Sequence, residues 1–507
     1  MGVIDLVHSL SKYLPQVKPP EKPLGTNEKL MWTGVALVLF FMMYNTTALG
    51  VPHLSSSVDF LQTITAAKIG SLLTTGIGPL VLSSIFLQLF VGAGLIDLNL
   101  KDKKDKAKFL ETQKVLAILL AFFEAMVFVV FTHIVPIDPL FGDLGEGIIT
   151  NADGSQATYA PYTMALVVLQ ITVGSLLILF LDELVSKYGI GSGISLFIAA
   201  GVSFAVFGGV IGLIFNSGGV LDAISSGGAE ALPIAILALL PFIFTLVVFL
   251  AVVYAEGVKV EIPIAFQRVR GMVPKLPLKF FYVSNIPVIF ASALIINVQL
   301  FTGGILAGQY WDQSGNPTAD FSRGYDFDAH GIAPLIGYVD QNGQLRDGLL
   351  YFFTPLYSGR GHTIDQWNTI SGHVTPILHI PEWLHALTYV ITLSLVSVIF
   401  GLFWVETSNM DAKSVANQLS DSGIQIPGFR RDPRMLETIL NKHIFPLTVM
   451  GSFAVGLLAG IADLTGALGT GTGILLTVGI LYRMYEQLEQ TKALESNATL
   501  NKLFGGG

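Results

Sequence analysis

Apolar residues in this chain gather in long unbroken runs, without alternating at the spacing of a strand or a half-exposed helix. Segments such as LALLPFIFTLVVFLAVVY have no polar face at helical spacing, which excludes the surface helix of a soluble domain. A helix that crosses a membrane needs about 20 mostly apolar residues. Ten runs meet or approach that need, at 32–49, 76–96, 115–135, 162–181, 190–215, 232–254, 280–305, 384–405, 444–461 and 468–482. The last two are short. Between the first and second runs lies VPHLSSSVDFLQTITAAKIGSLLTTGIGPLVLSS. Its part at 54–67 is too polar and too short to span, and Gly70, Gly76, Gly78 and Pro79 interrupt regular helix after it. Irregular backbone at membrane depth needs protein or a water-filled cavity around it. The segment therefore reads as a half-helix entering from the outer side, with a loop lying on the membrane surface as the alternative.

Charge fixes the orientation of these runs, because short loops rich in Lys and Arg stay in the cytoplasm. Lys12, Lys18, Lys22 and Lys29 precede the first run, and Lys101, Lys103, Lys104, Lys106 and Lys108 follow the second. Lys187 follows the fourth, Lys259, Arg268, Arg270, Lys275 and Lys279 the sixth, and Lys413, Arg430, Arg431, Arg434 and Lys442 the eighth. The intervening stretches 136–161 and 216–231 hold acids and no Lys or Arg. This alternation predicts ten spans with both termini in the cytoplasm of a cell-membrane protein. Ten divides into two sets of five, at 1–217 and 231–507, and an odd number per set gives the halves opposite topology. That is the geometry of inverted-repeat transport proteins, whose functional site lies between the halves. The long outer loop at 306–383, rich in Gly, Asp and aromatics, reads as a small cap and not as a separate enzyme domain.

Composition agrees with a membrane as solvent. Of 507 residues 52% are hydrophobic and 13% charged, with mean hydropathy +0.65; soluble domains carry roughly 25% charged residues. The net charge of −8 gives no global reason for nucleic-acid binding. The lack of cysteine excludes disulfides, thiolate metal sites and a cysteine nucleophile. The N-terminal stretch lacks the apolar core of a signal peptide, and Leu6 stands where a myristoylation motif needs Ser or Thr.

The chemistry-bearing positions are few. The glycines of YGIGSGISLFIAAG and GALGTGTGILLTVG lie at or inside apolar runs, so close helix packing explains them better than a phosphate loop. His373, His379 and His385 are spaced by six, which suits neither one helix face nor one strand face for a metal. Glu124, in LAFFEAMVF, is the clearest ionisable residue within a run and is functional by default. A coupled solute carrier would need several such groups, and an intramembrane enzyme a catalytic constellation. The expectation is a passive pore without cofactor, metal site or enzymatic activity.

Several strings resemble the SecY family of pore-forming translocon subunits in its archaeal and eukaryotic form: TITAAKIGSLLTTGIGPL, LDELVSKYGIGSGISLFIAAGVS, VVYAEGVKVEIPIAFQRVRG, PLKFFYVSNIPVI, IFGLFWVET and LTGALGTGTGILLTVGILYRMYEQL. They cover nearly the whole chain in order, except the outer loops, above all 306–383, which is longer than is usual in the family. The resemblance implies an all-α fold of ten transmembrane helices, two inverted five-helix halves closing like a clamshell on an hourglass pore. It implies an apolar ring at the waist made of Ile77, Val81, Ile194, Ile198, Ile289 and Leu476, and a plug at 54–67. It implies a lateral gate between spans two and three and spans seven and eight, with Glu124 and Asn297 as its polar pair; Leu82 stands where relatives commonly carry a hydroxyl. VKVEIPIAFQRVRG alternates like a hairpin with Arg268 and Arg270 near its tip; these residues, and Arg430 and Arg431, would dock a ribosome. The implied partners are a SecE-type subunit, a small SecG/Sec-beta-type subunit, signal sequences, nascent polypeptides and membrane lipids. The implied function is passage of unfolded secretory chains and sideways release of apolar segments.

Overall fold

The computed structural model describes residues 16–21, 24–49, 51, 65–92, 94–96, 98, 103–131, 147–150, 156–159, 161–215, 219–225, 231–263, 265–266, 275–283, 285–307, 336–339, 345–356, 363–375, 378–421, 424–425 and 433–504. Each apolar run is helical. The first five are α1 (Thr26–Asn45), α2 (Gly78–Gly92), α3 (Lys103–Phe131), α4 (Pro161–Tyr188) and α5 (Gly193–Phe215). A short α6 (Val220–Ser225) follows, and the sixth run is split into α7 (Ala231–Ala238) and α8 (Leu240–Glu256). The remainder are α9 (Ile286–Ala307), the outer α10 (Thr363–Gly372), α11 (Glu382–Thr407), α12 (Ala412–Asp421), α13 (Pro433–Asp463) and α14 (Gly471–Phe504). The break in the sixth run sits beside Pro241, which lacks the N–H that would carry the helix through.

Among the described residues, six stretches are long and apolar enough to cross a membrane by length and composition: Lys104–Val129, Met164–Tyr188, Gly193–Ser225, Leu232–Glu256, Glu382–Ser420 and Arg434–Asp463. α1 and α14 are long enough but run into Glu28 and Lys29 at one end and Arg483 and Glu486 at the other. α2, with 15 residues, is short because residues 65–77 before it form an irregular path: Gly70 and Gly76 have φ of 85° and 53°. Pro79 is the second residue of α2, where a missing N–H costs nothing, so it opens this helix and does not break it. The ninth and tenth runs, expected as short spans, are the apolar middles of α13 (31 residues) and α14 (34 residues).

Within the first set, α1 packs on α4 and α5, and α3 packs between α2 and α4. Within the second, α11 packs on α9 and α13, and α14 on α8 and α13. Small residues bring α11 and α13 together at backbone distance: a Cβ on Gly456 would stand 2.6 Å from Ser394 Cα, and one on Gly401 would overlap Ser452 Oγ at 2.0 Å. Such close approach is how helices associate in lipid, where the hydrophobic effect gives no preference between helix and tail. The two sets meet on two sides, through α5 and α1 against α14, and through α2 and α3 against α9 with α2 also touching α11.

Part of the stretch 306–383 is folded onto the head of α11. A short strand at Tyr338–Val339 pairs with one at Leu345–Asp347. The Tyr351 hydroxyl donates to Glu382 Oε1 at 2.7 Å, and His385 lies 3.0 Å from Glu382 Oε2 and 2.9 Å from the Thr354 carbonyl. His385 is thus a buried structural residue, packed ring to ring with Tyr351 at 4.0 Å. Trp367 of α10 donates to the Leu464 carbonyl at 3.1 Å, which carries the cap across to the α13–α14 turn.

Candidate functional site

One apolar cluster crosses the centre of the molecule and takes side chains from both sets of helices. Five of the six expected ring residues are buried members: Ile77 and Val81 around the start of α2, Ile198 on α5, Ile289 on α9 and Leu476 on α14. The sixth, Ile194, is partly buried and packs against the cluster. The sequence separates these residues by up to four hundred positions, and the fold gathers them.

Residues 54–64 of the expected plug lie outside the described residues. Its end at 65–67 is described and lies in this same place. Ala66 is fully buried within the cluster, and a Cβ on Gly201 of α5 would stand 3.4 Å from Ala66 Cα. The Ile77 N–H donates to the Thr65 carbonyl at 2.8 Å. Gly76 is needed for this contact, since a Cβ there would lie 2.2 Å from the Thr65 oxygen. The irregular path is stapled to the end of α1 by Ala48 N–H to Gly70 O at 2.9 Å and Leu72 N–H to Thr46 O at 3.0 Å. Its polar backbone is thereby satisfied inside protein, as membrane depth requires.

The expected gate pair is close in topology but not joined. Glu124 on α3 is 3% exposed; its Oε2 lies 2.9 Å from where a Gly78 Cβ would stand, and its Oε1 has no protein hydrogen-bond partner. Asn297 on α9 donates instead to the Ala293 carbonyl of its own helix at 2.8 Å. The hydrogen bond expected between them is therefore absent, because each polar group is turned to its own surroundings. Leu82 is fully packed, and the hydroxyl beside it that bridges helices is Ser84, which accepts from Gln113 of α3.

At the basic end, Lys259–Pro263 and Lys275–Lys279 form the expected antiparallel hairpin, in register from Lys259 with Lys279 to Pro263 with Lys275. The short strand Ala265–Phe266 leaves it to pair with Ile424–Gln425. The two expected docking loops are thus tied by one short ladder. Arg268, Arg270, Arg430 and Arg431 lie outside the described residues; Arg434 opens α13 and is exposed. Lys279 pairs with Glu486 of α14 at 2.7 Å.

Two residues absent from the sequence expectations stand out. Asp182 and Asp463 are half-buried carboxylates that each bind the first turn of the next span. Their signal in the sequence is an acid closing an apolar run just ahead of a Gly-x-Gly.

This architecture has close counterparts. The SecY family model matches residues 71–485. The protein translocase subunit SecY of Methanocaldococcus jannaschii is 40% identical over 97% of this chain and 97% of its own length; that of Methanococcus vannielii is 39% identical over 98% and 99%. The chain belongs to the SecY family. Among solved structures, a protein-conducting channel superposes with TM-score 0.71 at 38% identity, covering 97% of this chain and 98% of that one. Sec61 from a canine ribosome–channel complex of the endoplasmic reticulum gives 0.69 at 38% identity, covering 97% of each. This SecY chain is therefore a multi-pass membrane protein whose function is protein translocation through a channel. The solute-carrier reading, open on spans alone, is set aside.

Proposed function

We propose that the central apolar cluster is the closed waist of the channel, with Ile77, Val81, Ile194, Ile198, Ile289 and Leu476 as its ring and the segment at 54–67 as its plug. The observation that carries this is the single cluster joining those side chains from both helix sets with Ala66 at the plug's end. An apolar constriction holds back water and ions by dewetting. Its side chains offer no hydrogen bonds, so a passing polypeptide of any sequence slides without sticking. Replacing all six by Gly or Ser should let ions through the resting channel in a planar bilayer. A variant as tight as the parent protein would remove these residues from the seal.

The lateral opening is read at the seam where α2 and α3 meet α9 and α11, with Glu124 and Asn297 beside it. The hairpin bearing Arg268 and Arg270 and the strand-linked loop bearing Arg430 and Arg431 are read as the ribosome face, supported by the Sec61 counterpart seen in a ribosome–channel complex. Both termini then lie in the cytoplasm. A SecE-type subunit and a small SecG/Sec-beta-type subunit complete the assembly; α7 and α8, whose apolar window is only 22% buried, have surface to offer them or lipid.

A further inference from the structure

We propose that Asp182 and Asp463 are equivalent positioning residues that set the depth of the two facing helices carrying Ile198 and Leu476. The proposal rests on the constriction reading above and adds the device that holds the constriction in register.

The equivalence is residue by residue. α5 begins at Gly193 and α14 at Gly471. The second residue of each helix donates its N–H to the carboxylate of the preceding span: Ile194 to Asp182 Oδ1 at 2.8 Å, and Thr472 to Asp463 Oδ1 at 2.7 Å. In both, the initial glycine sits against the backbone at that acid. A Cβ on Gly193 would stand 2.4 Å from Asp182 Cα, and one on Gly471 would stand 2.4 Å from the Asp463 nitrogen. Both turns reach the helix through left-handed backbone, with φ of 77° at Gly191 and 71° at Gly469. Five residues beyond each glycine comes a fully buried side chain of the central cluster, Ile198 in one helix and Leu476 in the other.

The physics is that of a helix cap supplied from a neighbouring helix. The first N–H groups of a helix have no partner within it, and a carboxylate satisfies one of them and the positive end of the helix dipole together. A contact made this way fixes the helix along its own axis, which apolar packing does poorly because one methyl group substitutes for another. α5 and α14 touch directly and, as the fifth and tenth spans, start from opposite faces of the membrane. Each is pinned at its own start, and the two are brought level at the middle. At Asp463 the contact is broader, for Oδ2 also accepts from Thr472 Oγ1 and, at 2.8 Å, from the Tyr389 hydroxyl on α11.

The test compares Asp182→Ala, Asp463→Ala and Asp182→Asn in the full complex. Resting ion conductance in planar bilayers should rise at least severalfold in both Ala variants and stay at the parent level in Asp182→Asn, which keeps an acceptor oxygen. The chain has no cysteine, so nitroxide labels at Phe207→Cys and Leu481→Cys, both exposed, report the placement of α5 against α14. Their distance should shift in Asp182→Ala and not in Asp182→Asn. Equal conductance and equal distances in all variants would overturn the proposal, as would an Asn variant that behaves like Ala. If Asp182→Ala fails to assemble, Asp182→Ser, whose oxygen is too short to reach, takes its place. The sixfold ring variant runs in the same series. A tight ring variant would refute the constriction reading alone, since the label distances still test the positioning.

Discussion

Replacing Glu124 by Leu should hold the lateral seam shut. In the structure Glu124 is buried against Gly78, with Oε1 lacking a protein partner. An unsatisfied buried polar group costs about 1–3 kcal/mol. Opening the seam between α3 and α9 relieves that cost by letting the carboxyl meet water or a passing chain. Leu has similar bulk and nothing to satisfy, so the closed state gains. Taking the lower end, about 1 kcal/mol, the closed-to-open ratio rises about fivefold. Asn297→Leu should do much less, because the Asn297 amide bonds to Ala293 of its own helix and keeps that bond whether the seam is open or closed. The two changes should then add, with coupling under about 0.5 kcal/mol. A direct hydrogen bond between the two would give about 0.6 and up to roughly 1.7 kcal/mol. The assay is translocation over signal sequences of graded hydrophobicity, with cysteines introduced in α2 and α9 to trap the closed seam. Weakly hydrophobic signals should lose most in Glu124→Leu, and trapping should increase. A threshold moved toward weaker signals, or coupling above about 1 kcal/mol between the two positions, would refute this account of the seam.

Two further outcomes are expected. Charge reversal at Arg268, Arg270 and Arg430 should weaken ribosome cosedimentation; loss of three phosphate contacts should lower the slope of log affinity on log salt by about 2 to 3, and an unchanged slope would leave these arginines as topology markers. At the outer cap, Tyr351→Phe removes the donor that satisfies buried Glu382, which costs about 1–3 kcal/mol and should speed hydrogen exchange across 345–356 at least severalfold. Burial, and then the Glu382 carboxylate, push the Tyr351 phenol far above its ordinary range. The cap's stability is thus full below about pH 10, the ordinary phenol value, and falls as pH rises past it; protection at 345–356, taken relative to the base-catalysed intrinsic exchange rate, that already falls between pH 7 and 9 would contradict this.

The ten spans were legible because lipid demands long apolar runs and charge placement orders them. Their ends were less so: α13 and α14 continue as helix through polar sequence once the apolar stretch is over, since nothing in PRMLETILNKH or EQLEQTKALES stops a helix. The hairpin at 259–279 could be read from its alternation, but its ladder to Ile424–Gln425 could not, because two-residue strands leave no periodicity. The six proposed ring residues rest on matched motifs; as single Ile, Val and Leu positions they are indistinguishable from any packed residue. Glu124 was visible as an acid in an apolar run, yet its neighbour was not. A pairing with Asn297 is what two isolated polar groups suggest, and Gly78, which makes room for the carboxyl, carries no polar signal at all.

A channel waist that must release any polypeptide has to be made of side chains with weak, undirected contacts, and this SecY chain places its directed contacts elsewhere. Those near the waist lie at span ends and turns: Ile77 N–H on Thr65, Ile194 on Asp182, Thr472 on Asp463. Between α11 and α13 the same role falls to glycine and serine, which let two backbones touch. Asp463 has a particular place in this scheme. It closes α13, starts α14 and accepts from Tyr389, so one carboxylate joins a helix of the proposed lateral seam to a helix of the proposed waist. A displacement of α11 when the seam opens must either carry α14 with it or break the Tyr389 bond. A hydrogen bond between membrane helices is worth about 0.6 kcal/mol on average. That is weak enough to break on each opening, whereas the backbone contact of Gly471 on Ala462 and Asp463 is not. Yet α11 is itself seated on α13 at backbone distance, so α11, α13 and α14 would move as one unit at a sideways opening of the proposed seam, with α14 keeping its register on α13.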